Sequence, residues 1–145
     1  MESNTKPSIT IETIIKADVS TVWKIWSSPE HIVKWNAASD NWHTTKAEND
    51  LKVGGHFSNR MEAKDGSFSF DFGGVYTEVI ENEKISYSLE DARTVDIHFT
   101  NLGDSTKIVE IFEAETTNSL EMQKAGWQAI LDNFKRYTET LSIEQ

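Results

Sequence analysis

The chain has 145 residues and a mass of 16.5 kDa, with 24 acidic against 14 basic side chains and a formal net charge of −10. That length suits one domain able to bury a core without covalent staples, and the absence of cysteine excludes disulfides, thiolate metal sites and cysteine nucleophiles together. Three arginines (Arg60, Arg93, Arg136) scattered among eleven lysines form no phosphate-binding stripe, so neither nucleic acid nor a membrane surface is expected as a partner.

Residues 1–8 are polar and show no basic run followed by an apolar stretch, so no signal peptide is expected. Residues 8–16 (SITIETIIK) are rich in β-branched side chains, and Ile9, Ile11 and Ile15 recur at the spacing of a first strand. Asp18 offers an N-cap to a helix carrying Val19, Val22, Trp23 and Trp26 at helical spacing. Ser28-Pro29-Glu30 restarts a short second helix, with Ser28 as cap and Pro29 at the first helical position. It carries Ile32, Val33 and Trp35 and gives way to a loop through Asn41.

From Trp42 to about Phe112 the pattern changes to period two, broken by turn residues. Phe57 and Met61 share one face, opposite His56, Ser58, Arg60 and Glu62. Lys64-Asp65-Gly66 signals a hairpin, after which Phe68, Phe70 and Phe72 alternate with Ser67, Ser69 and Asp71. Gly73-Gly74 reads as a bulge or sharp bend within a continuing strand. Turns at 81–83, 90–93 and 101–104 complete a meander of about six antiparallel strands. A long amphipathic helix follows over 119–141, with Asn118 and Glu121 as a capping box. Gly126 lowers its helix propensity, and a close approach of the helix to the sheet beside Trp127 is the expected compensation.

This order describes an α+β chain with a helix-grip architecture. A curved antiparallel sheet wraps a long C-terminal helix, with two short helices after the first strand. The stretches VWKIWSSPEHIVKWN, VGGHFSNRMEAKDG, FDFGGVYTEVIENEKISYSL and GWQAILDNFKRYTE resemble the START-like (SRPBCC) superfamily. Within it they are most similar to the family named after the C-terminal domain of the heat-shock-protein-ninety ATPase activator. The resemblance implies a single START-like domain over 1–145, ordered from about 8 to 141. It also implies a deep cavity between sheet and C-terminal helix, often holding a hydrophobic small molecule. It implies no single reaction, because such folds host carriers, receptors, cyclases and co-chaperones. The eukaryotic activator has a separate N-terminal domain for its chaperone contact, and no counterpart is visible here.

Ten residues are the expected lining: Trp35 and Trp42 at the entrance, and Phe57, Met61, Phe70, Phe72, Tyr87, Phe99, Trp127 and Phe134 on sheet and helix. Glu110, His98 and Tyr76 are the candidate polar groups inside, with Tyr87 and Tyr137 as further phenolic handles. If Ile108 and Phe112 face inward, the Glu110 carboxyl enters the cavity. The commoner arrangement, with Val109 and Ile111 inward and Glu110 in solvent, is the expectation. Four histidines at 31, 43, 56 and 98 lack zinc-site spacing, so neither metal nor other cofactor is expected.

The resulting expectation is a cytoplasmic protein that binds a small hydrophobic or aromatic molecule without defined catalysis. A polyketide-cyclase-like enzyme with a cavity acid or base is one alternative. A chaperone-activator-like interaction module, with a protein partner or as a homodimer, is another. A mean hydropathy of −0.51 speaks against a large exposed apolar docking face.

Overall fold

The computed structural model describes residues 7–37, 39–90 and 92–143. Most of the segment read as free of a signal peptide, residues 1–6, lies outside them. The alternating isoleucines form β1 (Ser8–Ile15), followed by α1 (Val19–Ser27) and α2 (Pro29–Trp35). The meander is β2 (Trp42–Asn49), β3 (His56–Ala63), β4 (Ser69–Ile80), β5 (Lys84–Leu89), β6 (Thr94–Asn101) and β7 (Thr106–Glu113). The chain closes with α3 (Leu120–Ile143), a 24-residue helix about 36 Å long. The seven strands form one antiparallel sheet in the order β1-β7-β6-β5-β4-β3-β2, so the first strand closes against the last.

Local signals explain most boundaries. The Asp18 carboxylate accepts from the Thr21 amide and from the Ser20 and Thr21 hydroxyls, capping α1. Those bonds hold its carboxyl below the usual range. Ser28 stands at the N-cap position of α2, but its hydroxyl donates instead to the Lys24 carbonyl at the end of α1. Gly66 turns the β3–β4 hairpin at φ 78°, a conformation that side chains disfavour. At the start of α3 the cap is Ser119, whose hydroxyl accepts from the Met122 amide. Asn118 is not the cap: its side-chain amide donates to Glu115, and the expected box is not formed.

Two expectations about glycine are corrected. Of the bulge or sharp bend expected at Gly73-Gly74, the bulge is not found: β4 pairs in register with β3 across both glycines and with β5 from Gly74 onward. The irregularity falls between Tyr76 and Glu78. The two glycines are required because a Cβ would run into the carbonyl oxygen of Phe57 at one and of Ser88 at the other. Gly126 allows no close approach either, since a Cβ there would meet nothing within 4 Å.

The inner face of the sheet follows from the register. Ile11 and Ile97 lie directly across from Glu110 on its two sides, Ile85 opposes Ile97, and Tyr76 opposes Tyr87. Phe57 opposes Gly74 and Asn49 opposes Phe57 at the far side. Helix α3 lies chiefly along β1. Its Trp127 stacks on Phe112 of β7, with centroids 3.9 Å apart and planes 9° from parallel.

Candidate functional site

Between the inner sheet face and the three helices lies a cavity of about 220 Å³. Its aliphatic wall is Ile85 and Ile97 from the sheet, Ile32 from α2, and Ile130 and Leu131 from α3. Seven of the ten residues expected from sequence line it: Trp35, Phe57, Met61, Phe70, Phe72, Tyr87 and Trp127. Phe57 anchors the far side, with its ring 4.7 Å from Tyr87 and 5.3 Å from Tyr76. Phe72 bridges from Phe57 to Trp127 of the helix, at 6.1 and 6.0 Å.

The other three are brought elsewhere. Phe134 is fully buried in a ring cluster, with Trp26 and Trp35 each 4.8 Å away. Phe99 packs on Trp23 and Trp26 at 5.1 and 5.9 Å. Trp42 sits outside the lining, beside Phe68 and Phe70 at about 6 Å. Phe70 is both 38% exposed and cavity-lining, so it marks the mouth. Trp35 is no entrance residue. It is 5% exposed, and its indole N–H donates to the Ile25 carbonyl.

The polar groups divide similarly. His98 alternates with the buried Ile97 and Phe99, so it lies on the outer face of β6 and outside the lining. Tyr137 bonds His31 between α2 and α3 at 2.7 Å and is not a cavity group. Tyr76 lines the cavity, but its hydroxyl is engaged, donating to Asn49 Oδ1. Burial raises the Tyr76 phenol above its ordinary value.

Glu110 overturns the preferred expectation. The buried residues of β7 are Thr106, Ile108, Glu110 and Phe112, while Val109 and Ile111 lie on the outer face. Glu110 is 5% exposed, lines the cavity and has neither hydrogen bond nor ion pair among the described residues. Flanked by Ile11 and Ile97, its carboxyl loses solvation, and burial pushes its pKa up to about 8. The Tyr87 phenol also stands well above its ordinary value, from burial first and the Glu110 charge second. The parity failed because solvation was assigned by residue type, whereas pairing with both β1 and β6 fixes the face.

Sequence reasoning missed three asparagines. Asn36, Asn49 and Asn59 line the cavity, and Asn36 Nδ2 and Asn59 Oδ1 are buried without a partner among the described residues. Asn59 was findable, since it shares strand parity with Phe57 and Met61. Asn36 and Asn49 come from the end of α2 and the end of β2, where no periodicity marks a face. Trp26, read from sequence only as part of the first helix, also lines the cavity.

Taken together, the site is an apolar, ring-lined space with one carboxyl, phenols and amides at its wall. No lysine, arginine or histidine belongs to the lining among the described residues. No group of three or more His, Asp or Glu side chains there is disposed to hold a metal ion. Among the described residues, no helix is long and apolar enough to cross a membrane.

A family model described as Activator of Hsp90 ATPase homolog 1-like protein matches residues 16–139. The chain is similar to the solution structure of an AHSA1-like protein from Aeromonas hydrophila, at 45% identity and a TM-score of 0.89, over 96% of each chain. It is also similar to Chr148 from Cytophaga hutchinsonii, at 52% identity and a TM-score of 0.80, over 95% of this chain and 96% of that one. Protein NE0264 from Nitrosomonas europaea shares the fold at 17% identity and a TM-score of 0.79, over 94% and 96% of the two chains. No curated protein matches.

Proposed function

The chain belongs to the family described as Activator of Hsp90 ATPase homolog 1-like protein, and from that premise we propose that it binds a small hydrophobic or aromatic molecule between sheet and α3. The observation that carries this reading is the cavity itself. Cores are normally filled to crystal-like density, and 220 Å³ left among rings is well above such packing defects. A dry cavity of about 150 Å³ suffices to admit benzene. The mouth beside Phe70 gives access, and the amides and phenols at the wall supply a few orienting polar contacts.

Native mass spectrometry of freshly purified protein tests the proposal. A co-purifying small-molecule adduct, or a hit from a hydrophobic library that alters tryptophan fluorescence, is expected. An unliganded mass with no binder in the library would sink it.

One observation favours a second reading. A cavity carboxyl with a pKa near 8 is suited to donating or accepting a proton at neutral pH, as a cyclase-like acid–base catalyst does. Under that reading, a molecule that binds is also converted, and Glu110→Gln retains binding while abolishing conversion. A bound molecule recovered unchanged after long incubation counts against it.

A further inference from the structure

The charge of the molecule bound is legible in the cavity wall, and the following rests on the binding reading above. Glu110 is the only carboxyl in the lining, and it has no hydrogen bond or ion pair among the described residues. The other lining residues are uncharged; the cation that bears on them is Arg93, outside the lining, whose guanidinium acts on Tyr87 together with Glu110. Tyr87 and Tyr76 come from β5 and β4, Trp26 from α1, Trp35 from α2 and Trp127 from α3. Across the sheet its neighbours are Ile11 and Ile97. An anionic ligand finds no cation in the described lining and meets a carboxyl instead. A purely apolar ligand leaves that carboxyl buried without a partner. An organic cation supplies the missing counter-ion, and the ring faces around it attract positive charge. The chain's net charge of −10 draws cations and repels anions on approach.

We propose that the cavity selects a hydrophobic amine, its protonated nitrogen seated against the Glu110 carboxylate and its apolar body among the rings of Phe57, Trp26 and Trp127. The ammonium keeps its own proton. The carboxyl, which burial holds mostly protonated at neutral pH, gives its proton to the buffer as the ion pair forms. Charge balances: one cation enters and one proton leaves.

A matched set of probes with one two-ring body tests this: naphthylmethylamine, naphthylmethanol and naphthoic acid, titrated calorimetrically in two buffers of different ionisation heat. At neutral pH the amine is expected to bind at least about tenfold tighter than the alcohol, with no binding of the acid. Close to one proton should be released per amine bound. Because deprotonation of Glu110 limits binding, amine affinity should rise about tenfold per pH unit below about pH 8 and level off above it. Glu110→Gln should bring amine and alcohol to similar affinity and abolish the release. The release is read on the unmodified protein, so the test survives a variant that folds poorly. Alcohol bound as tightly as amine, without proton release, overturns the amine assignment and leaves cavity binding standing. No binding by any of the three, with no co-purifying adduct, overturns both.

Discussion

Replacing Glu110 by Gln should change how the stability of the ligand-free protein depends on pH. The folded-state pKa of about 8 stands above the ordinary 4.5. Between those values the native chain keeps a proton that the unfolded chain has released. A raised folded pKa means the stabilising contribution is present in acid and is lost as pH rises toward 8. The slope is about 1.4 kcal/mol per pH unit, so roughly 3 kcal/mol is lost by pH 7 and about 4–5 kcal/mol by pH 8. Glutamine is nearly isosteric and cannot ionise. Urea unfolding followed by tryptophan fluorescence, from about pH 5 to pH 9, gives both stability curves. Groups common to both proteins cancel in the difference. The variant should match the parent near pH 5 and exceed it by roughly 3 kcal/mol at pH 7, with the gap constant above pH 8. A difference that stays flat across this range would refute the burial and isolation of Glu110.

Phe134→Ala should cost about 3–5 kcal/mol, because the ring is fully buried between Trp26 and Trp35 and cannot be replaced by collapse; a loss below about 1 kcal/mol in urea unfolding contradicts that packing. Gly126→Ala should stabilise by about 1 kcal/mol, since a Cβ meets no atom within 4 Å and the helix gains propensity. A lowered melting temperature would show that the backbone there is not helical or not open. Gly73→Ala should destabilise by about 1–3 kcal/mol through collision with the Phe57 carbonyl, read in the same unfolding assay; an unchanged midpoint argues against the close strand approach. Ser119→Ala should lose about 1 kcal/mol with the cap of α3, whereas a larger loss in Asn118→Ala would return the cap to Asn118.

What the sequence made legible depended on whether one element or several decided the answer. Strand β1, the cap at Asp18, the helix start at Pro29, and six cavity-lining aromatics with Met61 were readable because each rests on a local pattern. Strand β7 was not, because Ile108 and Phe112 compete with Val109 and Ile111 as equally plausible inner faces. Only the pairing of Glu110 with Ile11 and Ile97 settles it, and pairing is a property of three strands at once. Likewise Phe134 and Trp127, seven residues apart in α3, fall on one side of the helix by spacing alone. That spacing gave no means of telling the part of that side that enters a ring cluster from the part that faces the cavity. Gly126 was misread because a glycine's two uses, close contact and mere tolerance, look alike until neighbouring atoms are known.

The void itself follows from how unevenly the rings are shared. Trp23, Trp26, Trp35, Phe99 and Phe134 pack on one another where α1, α2 and α3 meet β6. Phe57, Tyr76 and Tyr87 form a second group on β3, β4 and β5. Helix α3 lies along β1, so only Trp127, stacked on Phe112 and touching Phe72, reaches toward that group. Each group is held in place by its own packing rather than by the other. The first is held by mutual ring contacts, most of them edge-to-face, and the second stands on paired strands. Rings facing a gap forfeit dispersion contacts that a partner of fitting shape restores. The same division leaves Glu110 on the gap side of β7, where an occupant is the group most readily able to satisfy it.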